Sequence, residues 1–370
     1  MSSNYSILKI ITITFFTFIF FDLILGKTIY KKFIRVNFVD QDTTFSIKDD
    51  IYDHKFLASY KTDAAGWGSR RYIFCTDPNG FRSSCNKQFS NNKNFDIGFI
   101  GDSFTEGIGI NYEKSFVGII SNNLSEKKIA NLAVASYSPS IYYAKLNHLL
   151  SEGFIFKEII VFIDLSDLRD ETVCYKLDNN IIKRLDNNND CHIIPLSNWD
   201  NLKKILTDKL ILSTQLQNLL RNKLIKLNLL DYKVPGRLIK NPNSNWTYEY
   251  IPKNYNNLTY DQSRNLLIEN MNKLSKLLSE NNIKMSVAVY PWPGTLLKDK
   301  TNNKHSTLWK KFCEKKCKKF YNLNGPFFRM LQNEKFSSVY TKVYIKDDIH
   351  FNEYGNEIIA NNFLKLYKSE

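Results

Sequence analysis

A serine at position 103 stands directly after an apolar run, Phe95-Asp-Ile-Gly-Phe-Ile-Gly101, and a single aspartate, Asp102. A serine hydroxyl is a weak nucleophile until a base lies within hydrogen-bond reach, and that base needs an acceptor to fix its tautomer. The far end of the chain supplies both types in one short run, Asp347-Asp348-Ile349-His350. A histidine with a carboxylate two or three residues earlier is a general base with its own orienting group. The other histidines, at 54, 148, 192 and 305, have no comparable setting, and His148 falls inside a helical pattern. Asp-Ser at a strand end also makes an ordinary helix N-cap, so Ser103 gains meaning only through its partners.

The elements that must position these residues alternate. Apolar runs at Asp96–Ile100, Ile129–Val134, Glu158–Asp164, Lys284–Tyr290 and Phe320–Leu323 read as strands. Helical spacing appears over Ser115–Leu124, Ser140–Leu150, Asp261–Glu280, Ser306–Lys316 and Glu353–Tyr367. Such alternation predicts a mostly parallel sheet covered on both faces, with its site at the carboxyl ends of the strands. Each chemical candidate before the final block follows a strand: Gly101-Asp102-Ser103, then Ala135-Ser136-Tyr137-Ser138-Pro139, then Asp164-Leu165-Ser166-Asp167. The alternation breaks at about 170–258, an asparagine-rich insertion containing the amphipathic stretch Leu202–Leu230. With its leucines interleaved with Lys203, Lys204, Lys223 and Lys226, that stretch suits a helix packed on the domain or one laid on a membrane or a partner.

Composition narrows the class. The chain has 370 residues, 43% of them hydrophobic and 14% aromatic, ample for a large packed core. Its formal charge of +14 is spread along a chain rich in Lys, Asn and Ile, without a nucleic-acid-binding motif, which argues against nucleic acid as a partner. Ile7–Leu25 is apolar apart from threonines, Lys9 and Asp22, with no small-x-small cleavage site after it, and reads as an uncleaved anchor over residues 1–26. A polar juxtamembrane segment then covers 27–69, and the main domain 70–370. Lys27, Lys31, Lys32 and Arg35 after the anchor favour a cytoplasmic body. The six cysteines argue for the opposite side. They fall as local pairs, Cys75 with Cys85, Cys174 with Cys191 and Cys313 with Cys317, which suits disulfides and an oxidising compartment. The last pair is the weakest, since i, i+4 within a helix is a strained spacing for a disulfide. On balance the expected body is exocytoplasmic, periplasmic or extracellular. Neither a metal nor an organic cofactor is called for by these motifs.

Taken in order, the blocks resemble the SGNH (GDSL-type) hydrolase family. Gly101-Asp102-Ser103 is similar to its nucleophile block and Asp347 to His350 to its Asp-x-x-His block. Asp77-Pro-Asn-Gly-Phe-Arg82, Ser136-Tyr-Ser-Pro139 and His350-Phe-Asn-Glu-Tyr-Gly355 resemble the membrane-anchored, envelope-associated branch. The resemblance implies an α/β fold, a flavodoxin-like three-layer α/β/α sandwich, here with an N-terminal transmembrane helix and a helical insertion. It also implies Ser103 as nucleophile, His350 as base and Asp347 as orienting carboxylate, with Asp348 as the neighbouring alternative. Oxyanion and substrate contacts would fall on Ser136, Ser166 and Asp167. Two blocks depart from the family: Ser136 stands where it has glycine, and Ser166 where it has asparagine. The implied chemistry is ester hydrolysis or acyl transfer through an acyl-serine, on O-acyl, chiefly O-acetyl, groups of an envelope carbohydrate. An O-acyltransferase working with envelope polysaccharide machinery, and a catalytically silent glycan-binding or assembly protein, are the alternatives.

Overall fold

The computed structural model describes residues 2–29, 42, 44–68, 70–86, 91–185, 202, 205–207, 209–227, 229–250 and 255–369. Two compact units divide the chain: Met1–Asp40 with Ile194–Lys233, and Gln41–Ile193 with Val234–Glu370. The boundary at Gln41 departs from the expected start of the main domain at 70. Residues after 41 belong to the larger unit because they carry core aromatics: Phe45 stacks on Phe74 at 4.1 Å, and Phe56 meets Phe74 edge-on at 4.9 Å. Of the expected insertion, only Ile194–Lys233 falls in the smaller unit.

The larger unit opens with two antiparallel hairpins, β1 (Ser46–Asp49) with β2 (Asp53–Phe56) and β3 (Lys61–Trp67) with β4 (Arg70–Cys75). Then follow β5 (Asn94–Gly101), β6 (Ile129–Asn131) and β7 (Ile155–Phe162). A third hairpin joins β8 (Tyr175–Asp178) and β9 (Ile181–Arg184), before β10 (Lys284–Val289) and β11 (Lys319–Asn322). Five of these strands form one parallel sheet in the order β6-β5-β7-β10-β11. Numbered within the sheet that is 2-1-3-4-5, the flavodoxin-like order, whose direction of winding reverses between β5 and β7. The inner strands are buried on both faces, as their continuous apolar runs require: Ile159 to Phe162 and Val287 to Val289 are all fully buried.

Right-handed crossovers put the helix Phe116–Asn123 on one face and the helices Pro139–Ser151, Tyr260–Glu280 and Lys304–Lys316 on the other. The packing agrees. Pro139–Ser151 lies against Tyr260–Glu280, and the closing helix Glu353–Tyr367 against Phe116–Asn123. Thr259 and Gln262 form a reciprocal capping box that starts the long helix. The result is the expected three-layer α/β/α arrangement.

The disulfides Cys75–Cys85 and Cys313–Cys317 are formed. The second escapes the geometry of a helical turn because the helix ends at Lys316 and Cys317 is extended (φ −118°, ψ 154°). Cys191, the expected partner of Cys174, lies outside the described residues.

The smaller unit contains the helix Ser2–Phe21, which runs through a π turn at Asp22–Gly26 into Lys27–Ile29. Lys9–Ile29 is 21 residues long, with a mean hydropathy of 1.9 over an 18-residue window, long and apolar enough to cross a membrane or to act as a signal sequence. Of the amphipathic stretch, a helix over Ile211–Lys226 is described; Lys203 and Lys204 lie outside the described residues.

One buried cation ties the early segment to the sheet. Asp77 caps its own turn by accepting the N–H groups of Asn79 and Phe81, which aims the following Arg82 inward. Arg82 is 1% exposed. Its guanidinium donates to the carbonyls of Glu106, Gly107 and Ile110, the loop that follows Ser103, and lies over the rings of Tyr72 and Phe74. Replacing it with an apolar chain of similar length removes a donor from three carbonyls, of which Gly107's keeps the Ile110 N–H. Arg82→Met is expected to lower unfolding free energy by about 3–5 kcal/mol, read by denaturant titration.

Candidate active site

β5 delivers the nucleophile by a turn that only a residue without Cβ permits. A Cβ on Gly101 would lie 2.3 Å from Thr105 Oγ1 and 2.7 Å from the Phe162 carbonyl of β7. Asp102 is the N-cap of the short helix Ser103–Glu106 and accepts the Phe104 N–H at 3.0 Å. The N-cap reading and the nucleophile reading of Asp-Ser are therefore compatible: the cap sets the turn, and the turn presents Ser103.

Ser103 Oγ lies 2.8 Å from His350 Nε2. His350 Nδ1 lies 2.6 Å from Asp348 Oδ1, which also accepts the His350 backbone N–H at 2.8 Å. A carboxylate at that distance holds the imidazole proton on Nδ1 and leaves Nε2 to accept from the serine hydroxyl. Burial alone would raise Asp348, but the His350 charge and its hydrogen bonds, with the Trp67 indole, hold it down to about 2. The orienting carboxylate is thus Asp348 and not Asp347. Asp347 sits at φ +60°, a left-handed turn in which its carbonyl accepts from Arg237 while the next residue's carboxylate reaches the ring. The Tyr340 hydroxyl, 3.0 Å from the Asp348 N–H and 2.8 Å from its carbonyl, fixes that turn.

Sequence reasoning missed Trp67. Its indole N–H donates to Asp348 Oδ2 at 2.8 Å from the end of β3, 281 residues away, and its ring meets the His350 ring edge-on at 5.3 Å. Nothing local marks a tryptophan in a hairpin as a partner of so distant a carboxylate.

Beneath the serine lies a buried acidic cluster. Ser103 Oγ is also 3.2 Å from Asp102 Oδ2. Burial, and then the nearby Asp164, push Asp102 well above the usual carboxylate range. The Tyr290 hydroxyl donates to Asp102 at 3.1 Å, and the Trp292 indole to Asp164 at 2.8 Å.

As first residue of its helix, Ser103 has an N–H with no intrahelical acceptor. Ser136 takes φ +66°, a conformation that favours glycine, on a loop gripped at its neighbour Ala135. The Ala135 N–H donates to Glu106 Oε2 at 2.7 Å, and its carbonyl lies 2.8 Å from His54 Nε2. His54 is in turn held by Asp53 at 2.7 Å, which Arg184 also grips. His54 therefore has a carboxylate partner of its own, contrary to its reading from sequence, and uses it to position this loop.

Two expected substrate contacts are turned away. The Ser166 N–H and hydroxyl both serve Asp164, and Asp167 is fully buried, accepting from the Tyr142 hydroxyl and the Asp164 N–H. The loop after β7 satisfies its own polar groups, so neither residue lines the site. Among the described residues no cluster of His, Cys, Asp and Glu has the makings of a metal site.

Two substitutions separate the adjacent carboxylates. Asp348→Asn is expected to lower kcat for an activated ester such as p-nitrophenyl acetate by ~10⁴-fold through loss of the tautomer. Asp347→Asn, which tolerates the left-handed turn, is expected to stay within about threefold of wild type. Trp67→Phe keeps the ring and removes one donor to a charged acceptor, so kcat/KM should fall by about 10–100-fold at unchanged fold stability.

The sequence matches no protein-family model and no curated protein. Among solved structures, a lipolytic protein of the G-D-S-L family from Veillonella parvula is 11% identical, with a TM-score of 0.40, covering 74% of this chain and 99% of that one. The acetylxylan esterase Axe2 of Geobacillus stearothermophilus is 10% identical, with a TM-score of 0.39 and coverage of 73% and 93%. The esterase EstA of a Pseudoalteromonas species is 10% identical, with a TM-score of 0.36 and coverage of 75% and 98%. Likeness at this level assigns no activity.

Proposed function

We propose that this chain is a serine ester hydrolase that removes O-acyl groups, chiefly O-acetyl, from an envelope carbohydrate. The observation that carries the reading is the continuous hydrogen-bonded line Ser103–His350–Asp348 at the carboxyl ends of a parallel sheet. In this mechanism His350 Nε2 takes the Ser103 proton as Oγ attacks the ester carbonyl. The tetrahedral oxyanion is met by the N–H groups of Ser103 and Ser136, and Asp348 stabilises the imidazolium. His350 then gives the proton to the ester oxygen of the sugar as the acyl C–O bond breaks, so the sugar departs as a free hydroxyl and leaves an acyl-serine. Water, activated by the same nitrogen, releases the carboxylic acid and restores Ser103.

The exocytoplasmic location is supported by the apolar N-terminal helix and by the disulfides Cys75–Cys85 and Cys313–Cys317, which suit an oxidising compartment, and an O-acylated carbohydrate is the ester proposed for that location. Transfer to a second sugar hydroxyl in place of water uses the same acyl-serine, as an enzyme beside polysaccharide machinery would. The test is acetate release from an O-acetylated polysaccharide by the full-length protein in detergent. The wild type should release acetate with no gain of acyl groups on added acceptor glycan. Ser103→Ala should fall to about 10⁻⁴ of that rate or below. An unchanged rate in Ser103→Ala would sink the reading, and net acylation of the acceptor would make the protein a transferase.

A further inference from the structure

The smaller unit holds an acid where an anchor should have none. Asp22 lies in the Lys9–Ile29 span, toward its C-terminal end, and is fully buried within its unit. An ionisable residue in such a span is costly unless it is partnered. Its partners are the N–H groups of Leu212 and Ser213, at 3.0 and 2.7 Å, the otherwise unsatisfied donors at the start of the helix Ile211–Lys226. The local backbone is arranged for this contact: Asp22 opens a π turn, and a Cβ on Gly26 would lie 2.0 Å from Asp22 Oδ1 and 3.5 Å from Ile211 Cγ2.

The helix so captured has an exposed apolar face. Leu216, Leu219, Leu220 and Leu224 recur at helical spacing and are 41–67% exposed. Arg221, Lys223 and Lys226 accompany them, a composition suited to an interface with anionic lipid headgroups. We propose that Asp22 docks the helix Ile211–Lys226 onto the anchor so that its leucine face lies in the membrane interface, making the anchor a two-helix membrane module. The occupant of the leucine face is the bilayer, because the helix that carries it is held at its N-terminus by Asp22, a residue of the apolar Lys9–Ile29 span itself. A second copy of the chain is the rival occupant.

The full-length protein is reconstituted in phosphatidylcholine–phosphatidylglycerol vesicles carrying a phospholipid with a photoactivatable acyl chain. Adducts are mapped by peptide mass spectrometry. Adducts are expected on the anchor and on Leu216, Leu219, Leu220 or Leu224. In Asp22→Ala, and independently in Gly26→Ala, labelling of residues 211–226 relative to the anchor should fall about fivefold, the effect of losing one N-cap. A labelled anchor with an unlabelled 211–226 helix in the wild type overturns the proposal. So do crosslinks joining that helix to a second chain in place of lipid, and so does unchanged labelling in both variants.

Discussion

The proton on Nδ1 of His350 is the constraint on which the rest of the site depends. While Asp348 holds it at 2.6 Å, Nε2 is a base facing Ser103 Oγ at 2.8 Å. If the proton moves to the other nitrogen, the ring presents a donor to the serine and the line is broken. Each surrounding element bears on this one tautomer. The Trp67 indole occupies the second oxygen of Asp348, so the first faces the ring. Phe104 and Trp67 pack on the imidazole and limit its rotation, with centroids at 4.7 and 5.3 Å. The carboxylate nearest the nucleophile, Asp102, is driven toward its neutral form by burial and by Asp164.

The oxyanion side obeys a different economy. In the proposed mechanism its donors are backbone N–H groups, so their placement rests on loop geometry. The loop after Ser103 is held from below by Arg82, and the loop carrying Ser136 is gripped at Ala135 by Glu106 and His54. Glu106 links the two, since it follows Ser103 in the same short helix and reaches across to Ala135. Serine at 136 keeps the backbone N–H that the proposed mechanism uses and accepts a left-handed φ, a local cost of about 1–2 kcal/mol that the clamped neighbour sustains.

Much of this was legible in the sequence, and the failures have physical causes. The alternation of apolar runs with helical spacing marked the five strands of the sheet and its covering helices, because strands buried on two faces leave a continuous apolar signature. Ser103 and His350 were legible because each follows or precedes such an element. The choice between Asp347 and Asp348 was not, because it turns on the sign of one φ angle. Trp67, Arg82 and His54 act on loops remote in sequence through side-chain hydrogen bonds, and no periodicity records such a contact. Ser166 and Asp167 sat at the right strand end but satisfy each other's loop, which only the folded geometry reveals.

Peptide mapping of the acyl-enzyme tests the central claim most directly. The protein is mixed with p-nitrophenyl acetate, quenched in acid within the first turnover and digested. One acetyl group is expected on the peptide bearing Ser103, formed in the wild type and absent when His350 is replaced by alanine. Acetylation at any other residue, or an adduct on Ser103 that forms as fast without His350, would contradict it.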